Sequence, residues 1–158
     1  MARSIWIAGA AGAVAVAGLG LALWPAGATE APGGILRWQD PAVVAQGAEI
    51  YAAECAACHG ADLEGQPDWQ VRNANGRMPA PPHDRTGHTW HHADALLIDI
   101  TTRGTAAVVG RGYESDMPAF GDRLSEAEII AVLSYIKSTW PAEILEIHAQ
   151  VNAAAAME

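Results

Sequence analysis

Cys55-Ala56-Ala57-Cys58-His59 is the stretch on which the reading of this chain turns. Two thiols three residues apart on a helical turn can both reach one edge of a porphyrin. The histidine that follows then turns its ring toward the iron. This C-x-x-C-H order is the attachment signature of a c-type haem. The placing of His59 directly after the second cysteine is the informative part. A thioredoxin-like dithiol needs no such histidine and sits in a βαβ pattern, of which the chain has no trace. Structural zinc needs four ligands, and histidines further along the chain leave that alternative open. Cys55 and Cys58 are the only cysteines, so none is left for a structural disulfide.

The motif ends a helical pattern. Asp40-Pro41 is a helix start, with Asp as cap and Pro at the first helical position. Val43, Val44, Gly47, Ile50 and Tyr51 follow at helical spacing. Beyond the motif, residues 61–89 form a long polar stretch rich in Gly, Pro and Asn. A loop of that length needs something to organise it, and a haem beneath it would do so. Residues 94–103 read as a short helix with Leu96, Leu97 and Ile100 on one side and Gly104 as its stop. Residues 105–123 read as a second loop, containing Met117-Pro118. Ser125-Glu126-Ala127-Glu128 is a capping box that opens the clearest helix, with Ile129, Val132, Leu133 and Ile136 as its apolar stripe. Pro141 breaks it, and residues 142–151 are expected to form one more helix, with Ile144, Leu145, His148 and Val151 on a face. No strand alternation and no repeat is visible, so the expected class is all-α, with three to four helices around one covalent haem.

Composition narrows the partners. The chain of 158 residues has a net charge of −9, and Lys137 is its single lysine. Phosphate binding needs clustered Lys and Arg, so nucleic acid is not an expected partner. An acidic surface favours redox partners with basic docking surfaces.

The N-terminus points to export. Arg3 precedes an uncharged run, and its apolar part, residues 5–24, has the length that spans a bilayer as a helix. Trp6 and Trp24 lie at its ends, where interfacial aromatics are favoured, and Arg3 sets the N-terminus on the cytoplasmic side. Ala26-Gly27-Ala28 also suits signal cleavage. The expected organisation is a signal-anchor or transmembrane segment over 1–28, a linker over 29–40 with Trp38 docking on the domain, a globular domain over 41–140 and a helical extension over 141–158. The anchored reading is a single-pass protein of the cytoplasmic membrane with its haem on the periplasmic side. The alternative is a cleaved protein soluble in the periplasm.

A sixth iron ligand decides between electron transfer and chemistry at the metal. Met/His ligation fills both axial positions and raises the potential. Met117 lies 58 residues beyond His59, just before the capped helix, while Met78 lies only 19 beyond. Met117 has the reach to come round to the opposite face, and Met78 is the alternative. Met also fills gaps in cores.

Gly47-x-x-x-Tyr51-x-x-x-Cys55-x-x-Cys58-His59-Gly60, then Met117-Pro118-Ala119-Phe120, then Leu124-Ser125 opening a helix with Tyr135-Ile136 near its end, together resemble the class I (monohaem) c-type cytochromes. The resemblance covers residues 41–140. It implies thioether links at Cys55 and Cys58, iron ligation by His59 and Met117, and a contact of Gly47 and Tyr51 with Tyr135 between the first and last helices. It implies a proline carbonyl on the axial histidine, for which Pro79, Pro81 and Pro82 are candidates. Arg77 or Arg85 could pair with a haem propionate, though surface solvation accounts for either. The implied function is one-electron transfer, by a carrier or an electron-transfer subunit, and not catalysis.

His83, His88, His91 and His92 depart from the pattern. They allow a copper or zinc site, or ligands that displace Met117. The favoured reading is a polar loop over a haem edge, with Thr89 capping the helix at Asp94 and Trp90 covering the cofactor. The competing functions are thus a haem enzyme subunit, in peroxidase or sulfur-compound chemistry, and a metal-handling protein.

Overall fold

The computed structural model describes Met1 and residues 34–158, and these hold helices and no strand. The expected membrane segment, residues 5–24, lies outside them. Among the described residues no helix is long and apolar enough to cross a membrane.

Helix α1 (Pro41–Ile50) starts as its sequence requires: the Asp40 side chain accepts from the amides of Ala42 and Val43. It runs into one π-helical turn, Tyr51–Cys55, closed by the Ala56 amide on the Tyr51 carbonyl, and then into the short α2 (Ala56–His59). The wider turn inserts a residue and re-aims the Cys55 side chain relative to a regular helix. A short 3₁₀ turn, Thr89–His91, precedes α3 (Asp94–Arg103) and α4 (Thr105–Val109). Helix α5 (Glu126–Ser138) carries the full capping box, with Ser125 and Glu128 bonding each other's backbone. Helix α6 (Ala142–Ala155) ends the chain, four residues longer than the expected helix.

The most extensive helix contact is α1 on α5. Gly47 makes it possible: a Cβ there would sit 2.0 Å from the Ala131 carbonyl oxygen and 2.9 Å from the Tyr135 Cβ. One turn on, the rings of Tyr51 and Tyr135 meet at 5.4 Å between centroids. This is the contact the resemblance implies. Leu36, Tyr51, Leu97, Ile129, Val132, Leu133, Ile136, Trp140 and Ile144 form most of the core.

Four expectations change. Helix α3 buries Asp94, Leu97 and Thr101, while Leu96 is exposed. Thr89 does not cap it; Asn152 of α6 does, its side-chain oxygen accepting from the Asp94 amide at 2.8 Å. Within 105–123, five residues form α4 between Gly104 and Gly110, both at positive φ. In the linker it is Leu36, fully buried, that docks, and Trp38 is only partly covered.

One buried residue, Asp94, lies at the centre of the first, second and fourth of these. Asp94 accepts at Oδ2 from the amides of Ile35 (2.7 Å) and Leu36 (3.0 Å). Its Oδ1 faces Lys137 Nζ at 3.6 Å and His148 Nε2 at 3.4 Å. The His148 ring nitrogen also meets the His92 carbonyl at 3.0 Å. Asp94 thus draws in the segment before α1, α5 and α6 together, and this turns α3 so that Leu96 faces out.

Gly47→Ala must move backbone rather than a side-chain tip, so it should cost at least about 2 kcal/mol in urea unfolding. Asp94→Ala removes the acceptor of two amides and the anion beside Lys137, and should cost about 3–5 kcal/mol. Asp40→Asn keeps a capping oxygen and alters only an exposed pair with Arg37, so it should leave the unfolding midpoint essentially unchanged. Burial, and then the Lys137 charge, hold His148 below its ordinary pKa, against smaller opposite effects of Asp94 and the His92 carbonyl. The unfolded chain therefore protonates first. The stability His148 contributes is complete above about pH 6.5 and declines as pH falls below it. His148→Gln should flatten that decline in unfolding measured between pH 7 and 5.

Candidate functional site

The motif is held at both ends. Tyr51 donates its hydroxyl to the Gly60 carbonyl at 2.8 Å, across the π turn and α2. Gly60 stops α2 at φ +82, a conformation that favours glycine. Glu54, in the turn, pairs with Arg123 at 3.0 Å, tying the motif to the segment before α5. Cys55 is partly buried and Cys58 is exposed. Burial first, then the charges of Glu54 and Cys58, push the Cys55 thiol up to about 11. A thiol protonated at neutral pH is unlike the low-pKa attacking thiolate of a dithiol redox centre.

His59 is buried, and its Nδ1 meets the Pro81 carbonyl at 2.8 Å. A carbonyl only accepts, so Nδ1 carries the proton and Nε2 keeps its lone pair. Burial lowers the pKa of the ring, which keeps it neutral. Of the three candidate prolines, Pro81 is therefore the partner. Its carbonyl is fixed by glycines packed on Pro82. A Cβ on Gly65 would lie 2.4 Å from the Pro82 nitrogen, and one on Gly87 1.9 Å from the Pro82 oxygen. The long loop is further pinned by Gly65 N–H to His59 O (2.7 Å), His83 N–H to Leu63 O (2.8 Å) and Gln66 N–H to Ala80 O (2.8 Å). The Trp140 indole donates to the His83 carbonyl at 2.8 Å. Its own hydrogen bonds therefore organise much of this loop.

The four histidines are engaged in packing. His83 stacks on His59 at 4.0 Å, and its Nδ1 meets Thr89 Oγ1 at 2.7 Å. His88 stacks on Trp69 and meets the edge of His92, while His91 stacks on Trp90. Among the described residues no group of three or more His, Cys, Asp or Glu side chains is placed to hold a metal ion.

Met117 is half-buried in a loop strapped to α3. The Phe120 and Gly121 amides donate to the carbonyls of Thr101 (3.0 Å) and Thr102 (2.9 Å). Phe120 is buried and carries the Arg123 guanidinium 4.6 Å above its ring. The Met117 Sδ accepts from the Thr105 hydroxyl at 3.3 Å. Arg77 pairs with Asp116 and Glu114 of this loop, while its buried Nε makes no hydrogen bond. Met78 and Met117 thus follow the two partners of one ion pair.

These residues fit a covalent haem. Two thiols and a neutral imidazole with one uncommitted nitrogen stand together. The Trp90 Nε1–H is buried with no protein acceptor, a donor that a haem propionate would satisfy. Nothing in the sequence marked Thr105 or the packing of Gly65 and Gly87, because each depends on a partner distant in sequence.

The cytochrome c family model matches residues 44–140. Cytochrome c6 of Synechococcus sp. is 33% identical over 93 residues, 59% of this chain and 67% of that protein. The cbb3-type cytochrome c oxidase subunit CcoP of Azospirillum sp. is 31% identical over 97 residues, 61% of this chain and 29% of that protein. The gluconate 2-dehydrogenase cytochrome c subunit of Pantoea cypripedii is 28% identical over 95 residues, 60% and 20% of the two chains. The chain thus spans less than a third of the oxidase and dehydrogenase subunits it matches. No solved structure matches it significantly.

Gly87→Ala and Gly76→Ala separate packing from backbone strain. Gly87 has no positive φ, yet its Cβ would strike Pro82; Gly76 sits at φ +79 with nothing within 4 Å of its Cβ. In thermal unfolding of the haem-loaded protein, Gly87→Ala should cost about 2–3 kcal/mol, and Gly76→Ala about 1 kcal/mol. Equal losses would mean that Gly87 does not fix the loop under His59.

Proposed function

The chain belongs to the cytochrome c family, and from that premise we propose that it carries single electrons on one haem linked to Cys55 and Cys58, with His59 and Met117 as axial ligands. The observation that carries this reading is the His59 ring, whose Nδ1 is committed to Pro81 and whose Nε2 is left for iron. When bound, the haem supplies a one-electron iron couple, and His/Met ligation raises its potential and disfavours chemistry at the metal.

The protein's part is to hold the ligands still in both oxidation states. Gly65, Pro82 and Gly87 hold the Pro81 carbonyl, and the carbonyl holds the imidazole. The bonds from Phe120 and Gly121 to α3 hold the Met117 loop. A loop strapped in this way argues against the open distal position that a peroxidase or a sulfur-oxidising haem subunit needs. The packing of His83, His88, His91 and His92 argues against a metal-handling role.

The partners we propose are redox proteins with basic docking surfaces, complementary to the net charge of −9. The similarity to cbb3-type subunits makes a terminal oxidase one candidate. We place the domain on the periplasmic side, tethered through residues 5–24. A tether raises the effective concentration of the carrier near its partners.

The ferric protein should show a methionine–iron(III) charge-transfer band. Met117→Leu should abolish it and lower the potential, while Met78→Leu should leave it in place. Loss of the band in Met78→Leu alone would overturn the ligand assignment. The mass of the mature protein should include one haem, and Cys55→Ser with Cys58→Ser should remove the covalent adduct.

A further inference from the structure

Helix α4 begins at Thr105 and places a hydroxyl on the Met117 sulfur. We infer that Thr105 is a positioning residue for the Met117 thioether, and that its hydroxyl raises the reduction potential by donating a hydrogen bond to Sδ. The inference rests on Met117 being the axial ligand.

The contact belongs to a fixed corner. Thr105 Oγ1 lies 3.3 Å from Sδ and donates to it, since a thioether has no proton to give. Gly104, just before it, is at φ +80, and a Cβ there would lie 3.0 Å from the Ala119 nitrogen and 3.2 Å from the Pro118 carbonyl carbon. The loop is therefore pressed against the α3–α4 corner from which the hydroxyl projects. Ser115 Oγ takes the Met117 amide at 3.1 Å. A second threonine shows the other use of such a group: Thr101 donates to the Leu97 carbonyl within α3. Thr105, at the first position of α4, has no carbonyl of that helix behind it, and its proton goes to sulfur instead.

A thioether sulfur has two lone pairs. One suits a metal and the other can accept a hydrogen bond, so the two contacts are compatible. Donation from Thr105 draws electron density from the sulfur and weakens it as a ligand. Ferric iron depends on that density more than ferrous iron does. The hydrogen bond thus favours the reduced form, as hydrogen bonding around a ligating atom tunes a metal centre.

The test is spectropotentiometric titration of the full-length, haem-loaded protein, read with the methionine–iron(III) band. Thr105→Val keeps the shape and loses the donor; Thr105→Ser keeps the donor. With the band retained, Thr105→Val should shift the reduction equilibrium about threefold toward the ferric form, about 28 mV at 59 mV per tenfold. Thr105→Ser should restore the wild-type value. An unchanged potential in Thr105→Val, or the same fall in Thr105→Ser, would overturn the inference. If Thr105→Val fails to accumulate, Thr105→Ala against Thr105→Ser makes the same comparison. A wild-type protein lacking the band would instead overturn the axial assignment, and this inference with it.

Discussion

The carbonyl of Pro81 holds the one ring on which the site depends. A free imidazole has two tautomers and can rotate. With Nδ1–H given to a fixed acceptor at 2.8 Å, His59 has one orientation, and its other nitrogen is the lone-pair donor. That acceptor belongs to a loop with little secondary structure. It stays in place because two glycines let the chain close on Pro82 and because Trp140, just beyond α5, reaches back to the His83 carbonyl. The position of the His59 ring is thus set by residues outside the motif itself.

The second organising group is Asp94, the first residue of α3. A buried carboxylate carries a large desolvation cost and persists only with partners. Asp94 has two amides, an ammonium and a histidine around it, drawn from three separate segments. Through Asn152 and His148 it also holds α6, which lies beyond the residues matched by the family model. The C-terminal extension is therefore part of the packed domain and closes the N-terminal end of α3.

How legible each part was in the sequence follows from the range of its interactions. The capping box at Ser125, the Pro at the start of α1 and the apolar stripe of α5 are local, and each stands where its pattern places it. The Gly47 and Tyr135 contact is long-range but was readable through family resemblance. Asp94 was visible only as the start of a helix, because its partners lie 43 to 59 residues away on either side. Helix α4 escaped notice because five residues between two glycines carry too little periodicity to mark a face. The histidine stretch invited a metal site by composition, while its rings are spent on stacking with Trp69, Trp90, His59 and one another.

Under the proposed ligation, His59 of the motif and Met117 of the loop would meet at the iron. Iron K-edge X-ray absorption of the ferric, haem-loaded protein measures that meeting directly. The account predicts a first shell of nitrogen scatterers with one sulfur among them, lost in Met117→Leu. A first shell of nitrogen and oxygen alone in the wild-type protein would contradict it.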